Sequence, residues 1–360
     1  MGSLDPRCPR RAAVPRLVDA LAALLIVTAC GGAAAPPPLA SVAANAPTIA
    51  SSPSPAPASP ASTIPAATAR PIAAVLDRID LAKLGEHMAA LASFGSRDSR
   101  NPNHAKAVAY LMEQLSAIPA VVVQTHRASY NGTPLENIFA LIDPLTAPAP
   151  TGWVMICAHY DSISNRTPGW NPTVTMAPGA DDNGTGTAAL LEYARVLAQE
   201  RASLKQRVVL AFFDGEELFF KGSAAYLGSL PTPNPYAAVI NIDMVGFNPI
   251  ADRLDLIWYT NGSAGLRDRV VAANDRYKIG VDPLVAQLAT SGATILDAAP
   301  FGLAGIPAVA LVERYGEADA TYPGNSAFHT VNDTPDKVTN TRLWLKAARL
   351  TLATALELAR

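Results

Sequence analysis

The segment RVVLAFFDGEEL, residues 207–218, joins a continuous apolar run to a group of acidic residues. An apolar run without polar alternation is typical of a strand that is covered on both faces of its sheet. Asp214, Glu216 and Glu217 follow directly where the run ends. Because buried carboxylates are costly without a counter-charge, this segment indicates both a covered sheet and a functional site at its edge.

Strand-like and helix-like segments alternate along the rest of the globular part of the chain. Strands are predicted at residues 120–128, 136–143, 153–158, 207–213, 237–242, 254–259 and 307–312. Helical periodicity is found at residues 80–94, 103–117, 184–200, 264–276 and 340–359. This alternation predicts an α/β fold: a three-layer α/β/α domain around a central mixed, mostly parallel sheet.

The composition limits the classes of function. Of the 360 residues, 49% are hydrophobic and 16% are charged, and the formal net charge is −2. These values support a sizeable core, and the lack of a basic tract argues against nucleic-acid binding. Composition also divides the chain into a signal peptide (1–29), an Ala/Pro/Ser-rich tether (30–70) and a globular domain (71–360). We expect a monomer.

The first thirty residues have the pattern of an export signal. Four arginines precede the stretch ALAALLIVTA, which is too short to span a bilayer. The following VTACG, residues 27–31, resembles a bacterial lipobox, in which the cysteine is lipidated. We therefore expect export to the cell envelope with a lipid anchor on Cys30, or secretion if the signal is a plain one. Cys157 lies in an apolar run and is expected to be a core residue.

Histidine and acidic residues also follow the other predicted strands. They are His159 and Asp161 after WVMICA, Asp181 and Asp182 in PGADDNGTG, Asp243 after AAVINI, and His329 in NSAFHTVNDT. The carboxyl ends of parallel strands meet at one edge of a sheet, so these side chains are expected to converge. Several carboxylates in one cleft need a counter-charge, and imidazole nitrogen and carboxylate oxygen are suitable zinc ligands.

The adjacent Glu216 and Glu217 need not share one task. Successive side chains of an extended segment point in opposite directions. One glutamate can therefore bind a metal ion while the other faces the substrate and carries a proton.

Taken together, these motifs resemble the co-catalytic zinc peptidases of metallopeptidase family 28, which includes secreted bacterial aminopeptidases, glutamate carboxypeptidase and related glutaminyl cyclases. The resemblance covers about residues 80–360. The matching pieces, in the order of the family, are AHYDS (158–162), APGADDNGTG (177–186), FFDGEEL (212–218), NIDMVG (241–246), PFGLAGIPAV (300–309) and FHTVNDT (328–334).

The resemblance implies a site with two Zn²⁺ ions, although Co²⁺ or Mn²⁺ could occupy the same ligands. One ion would be held by His159, Asp182 and Asp243, and the other by Asp182, Glu217 and His329. Asp182 would bridge the two ions. The implied activity is that of an aminopeptidase acting on peptides, with a metal-bridging water as the nucleophile.

Two further roles are implied by the same resemblance. Glu216 would be the general base that takes the proton of the attacking water and passes it to the leaving amine. Asp161 would accept a hydrogen bond from the ring of His159 and fix its tautomer.

Some positions depart from the family pattern. Some members have a tyrosine where this chain has Phe328, which cannot donate a hydrogen bond, and Tyr315 or Tyr322 could replace it from the same loop region. The family often has Ser-Asp-His before its Pro-Phe, whereas this chain has LDA at residues 296–298. Asp297 is expected as a support behind the metal ligands, as an acid on the substrate side, or as a helix N-cap.

Other functions remain open from sequence. A glutaminyl-peptide cyclotransferase would use a single zinc ion, and a carboxypeptidase of the same family would need a basic pocket that the sequence does not locate. Outside catalysis, the chain could be a binding module that has lost its metals or a surface anchor whose tether is its function. The complete set of predicted ligands argues against both of these.

Overall fold

The computed structural model describes residues 69–146, 148–289, 296–314, 322 and 324–360. The α-helices are α1 (Ile72–Leu76), α2 (Leu81–Ser93), α3 (His104–Ser116), α4 (Gly184–Ala198), α5 (Lys221–Ser229), α6 (Ala264–Arg276), α7 (Ala299–Leu303) and α8 (Thr341–Ala359). The strands are β1 (Val122–Tyr130), β2 (Thr133–Ile142), β3 (Trp153–His159), β4 (Val208–Phe213), β5 (Tyr236–Asp243), β6 (Leu254–Trp258), β7 (Leu284–Leu288) and β8 (Ala308–Val312). The signal peptide, Cys30 and all but the end of the tether lie outside the described residues.

These strands form one sheet in the order β1-β2-β4-β3-β5-β8-β6-β7. The central strands β4, β3, β5 and β8 run parallel, and β6 pairs in parallel with β7. The pairs β1–β2, β2–β4 and β6–β8 are antiparallel. The mixed sheet with helices on both faces confirms the predicted fold class.

Strand β4, VVLAFF, is buried along its whole length. Val208, Leu210 and Phe212 belong to the core on the face covered by α2, α4 and α8. Phe213 and its alternate neighbours belong to a second core with α7 on the other face. Because both faces are covered, the apolar run needs no alternation, as its sequence predicts.

The register of the central strands places their ends at one edge. His159 at the end of β3 pairs with Phe213 at the end of β4. Asp243 at the end of β5 pairs with Val312 at the end of β8. The segments that leave these strands therefore start side by side.

The sequence pattern did not reveal α1, α5, α7 and β7. Helices α1 and α7 have five residues each, too few for a helical period to show. Helix α5, KGSAAYLGS, has two glycines and a weak apolar face. Strand β7 lies at the edge of the sheet and is only half-buried.

Two smaller expectations can be checked against the fold. Cys157 is a fully buried free cysteine within β3, which confirms its place in the core. Among the helices of the described residues, none has the length and apolar character needed to cross a membrane.

Candidate metal centre

His159 is almost completely buried at the carboxyl edge of the sheet, as the last residue of β3. Its Nε2 atom lies 3.2 Å from Oδ1 of Asp182 and 3.4 Å from Oδ2 of Asp243. Asp243 ends the neighbouring parallel strand β5, so strand pairing sets the two side chains next to each other. The imidazole therefore faces two carboxylates at once.

Asp182 lies in the loop that leads into α4. Asn183 is the N-cap of that helix, and its side chain accepts a hydrogen bond from the Gly186 N–H at 2.8 Å. While Oδ1 of Asp182 is near His159, Oδ2 lies 3.0 Å from Nε2 of His329. One carboxylate thus stands between two imidazoles, with one oxygen directed to each.

Glu217 completes the cluster on the side of His329. Its Oε2 atom lies 3.0 Å from the same Nε2 atom of His329. Ligand atoms of His159, Asp182 and Glu217 all lie within 4.8 Å of one another. The structure therefore brings together all five residues that the sequence predicted as metal ligands: His159, Asp182, Glu217, Asp243 and His329.

Among the described residues, Oε1 of Glu217 is buried without a hydrogen-bond partner, and the buried Oδ2 atoms of Asp182 and Asp243 face only imidazole nitrogens. Buried anionic oxygens that lack a partner are strongly unfavourable. A divalent cation would satisfy them, and imidazole nitrogens with carboxylate oxygens are a ligand set that suits zinc. The residues present fit a metal centre.

The electrostatics of the cluster favour a bound cation. Burial lowers the pKa of His329, but Glu217 and Asp182 outweigh it and raise that pKa to about 10. Burial and the charge of Asp182 raise the pKa of Glu217 to about 7. For Asp182, burial is outweighed by the two histidines, which hold its pKa below the usual value. Positive charge, as a proton or a metal ion, is therefore stabilised between these groups.

The carboxylate of Asp161 organises the segment that carries the two glutamates. Its Oδ1 accepts from the Glu216 N–H and its Oδ2 from the Glu217 N–H, both at 3.2 Å. The Nδ1 atom of His159 lies 3.1 Å from the carbonyl oxygen of Asp161 and 3.4 Å from its carboxylate. The Nδ1 atom of His159 is therefore closer to the backbone carbonyl of Asp161 than to the Asp161 carboxylate. The carboxylate also holds the backbone of Glu216 and Glu217, a role that the sequence does not reveal.

Glu216 lies next to the cluster but is not among the three residues with converging ligand atoms. The residue is partly accessible to solvent. Burial of its carboxyl raises the pKa of Glu216 well above its usual value; His159 lowers it, and Glu217 and Asp297 add to the rise. A carboxyl whose pKa is raised in this way can exchange a proton with a reacting group.

Asp181, the acid next to Asp182, is committed to other partners. Its Oδ1 accepts from the Gly246 N–H at 2.9 Å, and its Oδ2 accepts from Nδ2 of Asn325 at 3.0 Å. Burial and the charge of Asp333 raise the pKa of Asp181 to about 8. Of the two adjacent acids, Asp182 is therefore the one that faces the histidines.

Two residues that support the centre were missed by sequence reasoning. Asp333 accepts hydrogen bonds from the N–H groups of Asp181 and Asp182, one on each carboxylate oxygen, both at 3.0 Å. Asp161 binds the backbone of the Glu216–Glu217 segment in the same way. Arg97 is fully buried behind the cluster. Asp333 is part of the motif FHTVNDT, but only the fold shows which backbone amides it contacts. No sequence pattern marks Arg97 as part of the site.

The backbone is unusual at two points of the cluster. Met244, which follows Asp243, has φ 45°, and His329 has φ 57°. Residues other than glycine rarely adopt this left-handed region, which costs of the order of 1–3 kcal/mol. Such conformations are concentrated at functional sites, which agrees with a metal centre here.

The aromatic residues proposed for the substrate side have different surroundings. The ring of Phe328 stacks on His329, with 3.7 Å between the ring centroids, so an apolar surface lies beside this ligand. Tyr322 is buried, and its hydroxyl donates to Oε1 of Glu313 at 2.8 Å. That hydroxyl is thus directed at a carboxylate outside the ligand cluster. Tyr315 lies outside the described residues.

Asp297 is a fully buried acid directly before α7. The N-cap of that helix is Ala298, so Asp297 does not have the capping role that the sequence left open. Among the described residues, neither of its carboxylate oxygens has a hydrogen-bond partner of good geometry. Burial raises the pKa of Asp297 to about 7; His159 and the Ser223 side chain oppose the rise, and Asp243 and Asp161 add to it. The acid therefore lies close to the ligand cluster without belonging to it.

Comparison with known proteins places this geometry among peptidases. Leucine aminopeptidase 1 of Coccidioides posadasii is 27% identical over 312 residues, which cover 80% of this chain and 74% of that protein. The uncharacterised protein YfbL of Escherichia coli is 38% identical over 120 residues, about a third of either chain.

Solved structures show the same fold. The LapA aminopeptidase of Legionella pneumophila has a TM-score of 0.65 at 19% identity, covering 80% of this chain and 74% of that one. Glutaminyl cyclase of Porphyromonas gingivalis has a TM-score of 0.62 at 22% identity, and the match covers 78% of this chain and 99% of that one. The zinc aminopeptidase BSAP of Bacillus subtilis has a TM-score of 0.51 at 26% identity, and the match covers 65% of this chain and 52% of that one.

Residues 137–355 match the model of Peptidase family M28. This range is more than half of the chain, and it contains the whole ligand cluster from His159 to His329. The match agrees with the resemblance seen in the sequence motifs, and the chain therefore belongs to Peptidase family M28.

Proposed function

We propose that this protein is a zinc-dependent aminopeptidase that removes N-terminal residues from peptides. The observation that carries this proposal is the Asp182 carboxylate, which stands between His159 and His329 with one oxygen near the Nε2 atom of each imidazole. Family membership and the leucine aminopeptidase and zinc aminopeptidase relatives support the same reading.

We propose two zinc ions rather than one. His159, Asp182 and Asp243 would hold the first, and Asp182, Glu217 and His329 the second. The proposal is supported by the two separate histidine–carboxylate groups that share Asp182. Co²⁺ or Mn²⁺ could use the same ligands, because the set does not discriminate sharply between these metals.

When bound, zinc supplies a Lewis acid that polarises the scissile carbonyl and lowers the pKa of the attacking water. The proton of that water goes to the carboxylate of Glu216, whose pKa is raised by burial. Glu216 then passes the proton to the leaving amine. Asp161 keeps the Glu216–Glu217 backbone in place through its two hydrogen bonds, so the proton carrier and the ligand cannot move apart.

The substrate side is proposed to include Phe328 and Asp297. Phe328 offers an apolar ring next to His329. The unpaired carboxylate of Asp297 is suited to an ammonium group, because a cation would supply the hydrogen bonds that both of its oxygens lack. A free α-amine near Asp297 agrees with removal of N-terminal residues.

The test is to supply zinc to the purified protein and follow a peptide mixture by mass spectrometry. The mixture contains peptides with free N-termini, blocked N-termini, N-terminal glutamine and acidic C-termini. Stepwise shortening from free N-termini only is the expected result. Loss of ammonia from the glutamine peptide without cleavage would instead identify a cyclase, and trimming from the other end a carboxypeptidase. No change, with zinc verified as bound, would favour a binding module.

We also propose that the chain is exported and anchored to a membrane of the bacterial cell envelope by a lipid on Cys30. The support is the sequence pattern of residues 1–31 alone. Replacing Cys30 by alanine should release the protein from the membrane fraction, and retention of the variant in that fraction would contradict the anchor. A monomer is proposed as well, and sedimentation of the purified protein measures it.

A further inference from the structure

Arg97 is a buried cation without a carboxylate partner in contact. The residue is fully buried, and among the described residues none of its hydrogen bonds or ion pairs joins it to an acidic side chain. A buried charge is costly unless strong interactions hold it in place. Its position therefore calls for a specific task.

The guanidinium of Arg97 joins two segments that carry metal ligands. Its Nε donates to the carbonyl oxygen of Tyr160 at 2.6 Å, and Tyr160 directly follows His159. Its Nη1 donates to the carbonyl oxygen of Pro178, and its Nη2 to that of Gly179 at 2.8 Å. The second pair of carbonyls belongs to the loop that carries Asp182.

The surrounding residues support the same link. Oγ of Ser162 accepts from the Arg97 backbone N–H at 3.1 Å and donates to the carbonyl oxygen of Ala177 at 2.7 Å. Gly179 has φ 55°, and a Cβ there would lie 2.8 Å from Nη2 of Arg97 and 2.6 Å from Cβ of Ser162. The glycine therefore leaves the space that the guanidinium occupies.

Arginine has the right chemistry for this position. Its planar fork can donate in several fixed directions at once, whereas the lysine ammonium is a compact charge on a flexible stem. Burial lowers the pKa of Arg97 to about 10, and Asp333, Asp182 and Asp161 oppose that shift. The side chain thus remains charged at neutral pH, close to the anionic cluster but not in contact with it.

We propose that Arg97 is a positioning residue of the metal centre, which holds the His159 segment and the Asp182 loop at the separation that metal binding needs. This inference rests on the proposed metal centre. Without the guanidinium, the carbonyls of Tyr160, Pro178 and Gly179 each lose a donor, although that of Gly179 still accepts from the Gly184 N–H at 3.0 Å, and the two segments are free to relax apart. The Nε2–Oδ1 distance of 3.2 Å between His159 and Asp182 depends on this link.

The test compares the zinc affinity of the wild type with those of Arg97→Met and Arg97→Lys, by competition with a chelator on protein that circular dichroism shows to be folded. Residues that orient metal ligands typically contribute about 10- to 100-fold to affinity, and both variants should lose about that much. Lysine should not restore it, because one ammonium cannot bridge both segments.

Arg207→Met is the matched control. Arg207 packs its guanidinium 4.3 Å over the ring of Trp153 and pairs with Asp143, at the end of β3 opposite to His159. Its loss should lower stability but leave zinc affinity unchanged. This separates a general loss of an arginine from a loss at the metal centre.

Equal or tighter zinc binding by folded Arg97→Met would overturn the proposal, and full rescue by Arg97→Lys would show that charge alone matters and overturn it too. If Arg97→Met does not fold, Ser162→Ala tests the same link. That variant should bind zinc several-fold more weakly, and unchanged affinity would overturn the positioning role. A wild type that binds no zinc would overturn the metal centre as well, whereas tight wild-type binding with unaffected variants would overturn the role of Arg97 alone.

Discussion

Replacing the adjacent glutamates one at a time should separate catalysis from metal binding. Glu216→Gln keeps the size of the side chain and removes the proton acceptor, so turnover should fall about 100- to 10,000-fold, the range typical of a lost general base. That is about 3–5 kcal/mol of transition-state stabilisation. Zinc affinity should stay within a few-fold of the wild type, because Glu216 is assigned to proton transfer and is not one of the five proposed ligands.

Glu217→Gln is the matched variant and should behave in the opposite way. Oε2 of Glu217 lies 3.0 Å from His329, and its Oε1 is buried without a partner, so the amide removes a charge that the cation needs. Since residues that merely orient ligands contribute about 10- to 100-fold, a ligand itself should contribute at least that much to zinc affinity.

Both variants are assayed in parallel for kcat with a peptide substrate and for zinc affinity by chelator competition. The peptide backbone at both sites is held by Asp161, so neither variant should disturb the other position. A fully active Glu216→Gln, or a Glu216→Gln that loses zinc as readily as Glu217→Gln, would refute the assignment of the two roles.

The other predictions concern the supports of the centre and its charge. Asp161→Asn should lower zinc affinity or activity about 10- to 100-fold, because asparagine has one acceptor oxygen and its NH₂ group would face the other backbone N–H; wild-type values in both assays would contradict this. Zinc at 100 times its Kd should stabilise the fold by about 2.7 kcal/mol, seen as a rise in Tm that a chelator reverses. The pKa of His329 is raised from 6.5 to about 10, so its contribution to the stability of the metal-free protein is complete below pH 6.5 and is lost as the pH rises through 10. Zinc must displace that proton, so apparent zinc affinity should rise with pH over this interval, and a flat profile would count against the pairing. Tyr322→Phe should cost about 1–3 kcal/mol in urea unfolding, since it removes the hydroxyl donor to Oε1 of buried Glu313, whose Oε2 keeps the Phe247 N–H, and should change kcat little.

The central elements could be predicted from the chain because their patterns are long and regular. The segment 207–213 is apolar throughout, and it is a strand covered on both faces. Helix α8 was expected at 340–359 and is found at Thr341–Ala359. The short helices α1 and α7 left no period to detect, so only tertiary packing defines them.

The candidate ligands could also be identified from the chain, because His159, Glu217 and Asp243 lie at or just after the ends of predicted strands and the family resemblance implies Asp182 and His329. The roles of the residues that hold these ligands in place could not be identified from the chain. Asp161 and Asp333 each accept hydrogen bonds from two successive backbone N–H groups. The two amides that Asp161 binds lie 55 and 56 residues away in the sequence. No local pattern marks an acid as the partner of a distant amide.

The sequence by itself determined the α/β fold, the family and the residues that bear the metal chemistry, because strand ends, loop motifs and residue types are local properties. Only the tertiary structure decided that the Asp161 carboxylate meets the Glu216 and Glu217 amides, that Tyr322 is directed at Glu313, and that Arg97 lies behind the centre. These facts depend on which buried polar groups find partners after the chain has packed. In a close-packed interior, the partner of a buried polar group is decided by the residues that lie next to it in space. These residues cannot be identified from their positions along the chain.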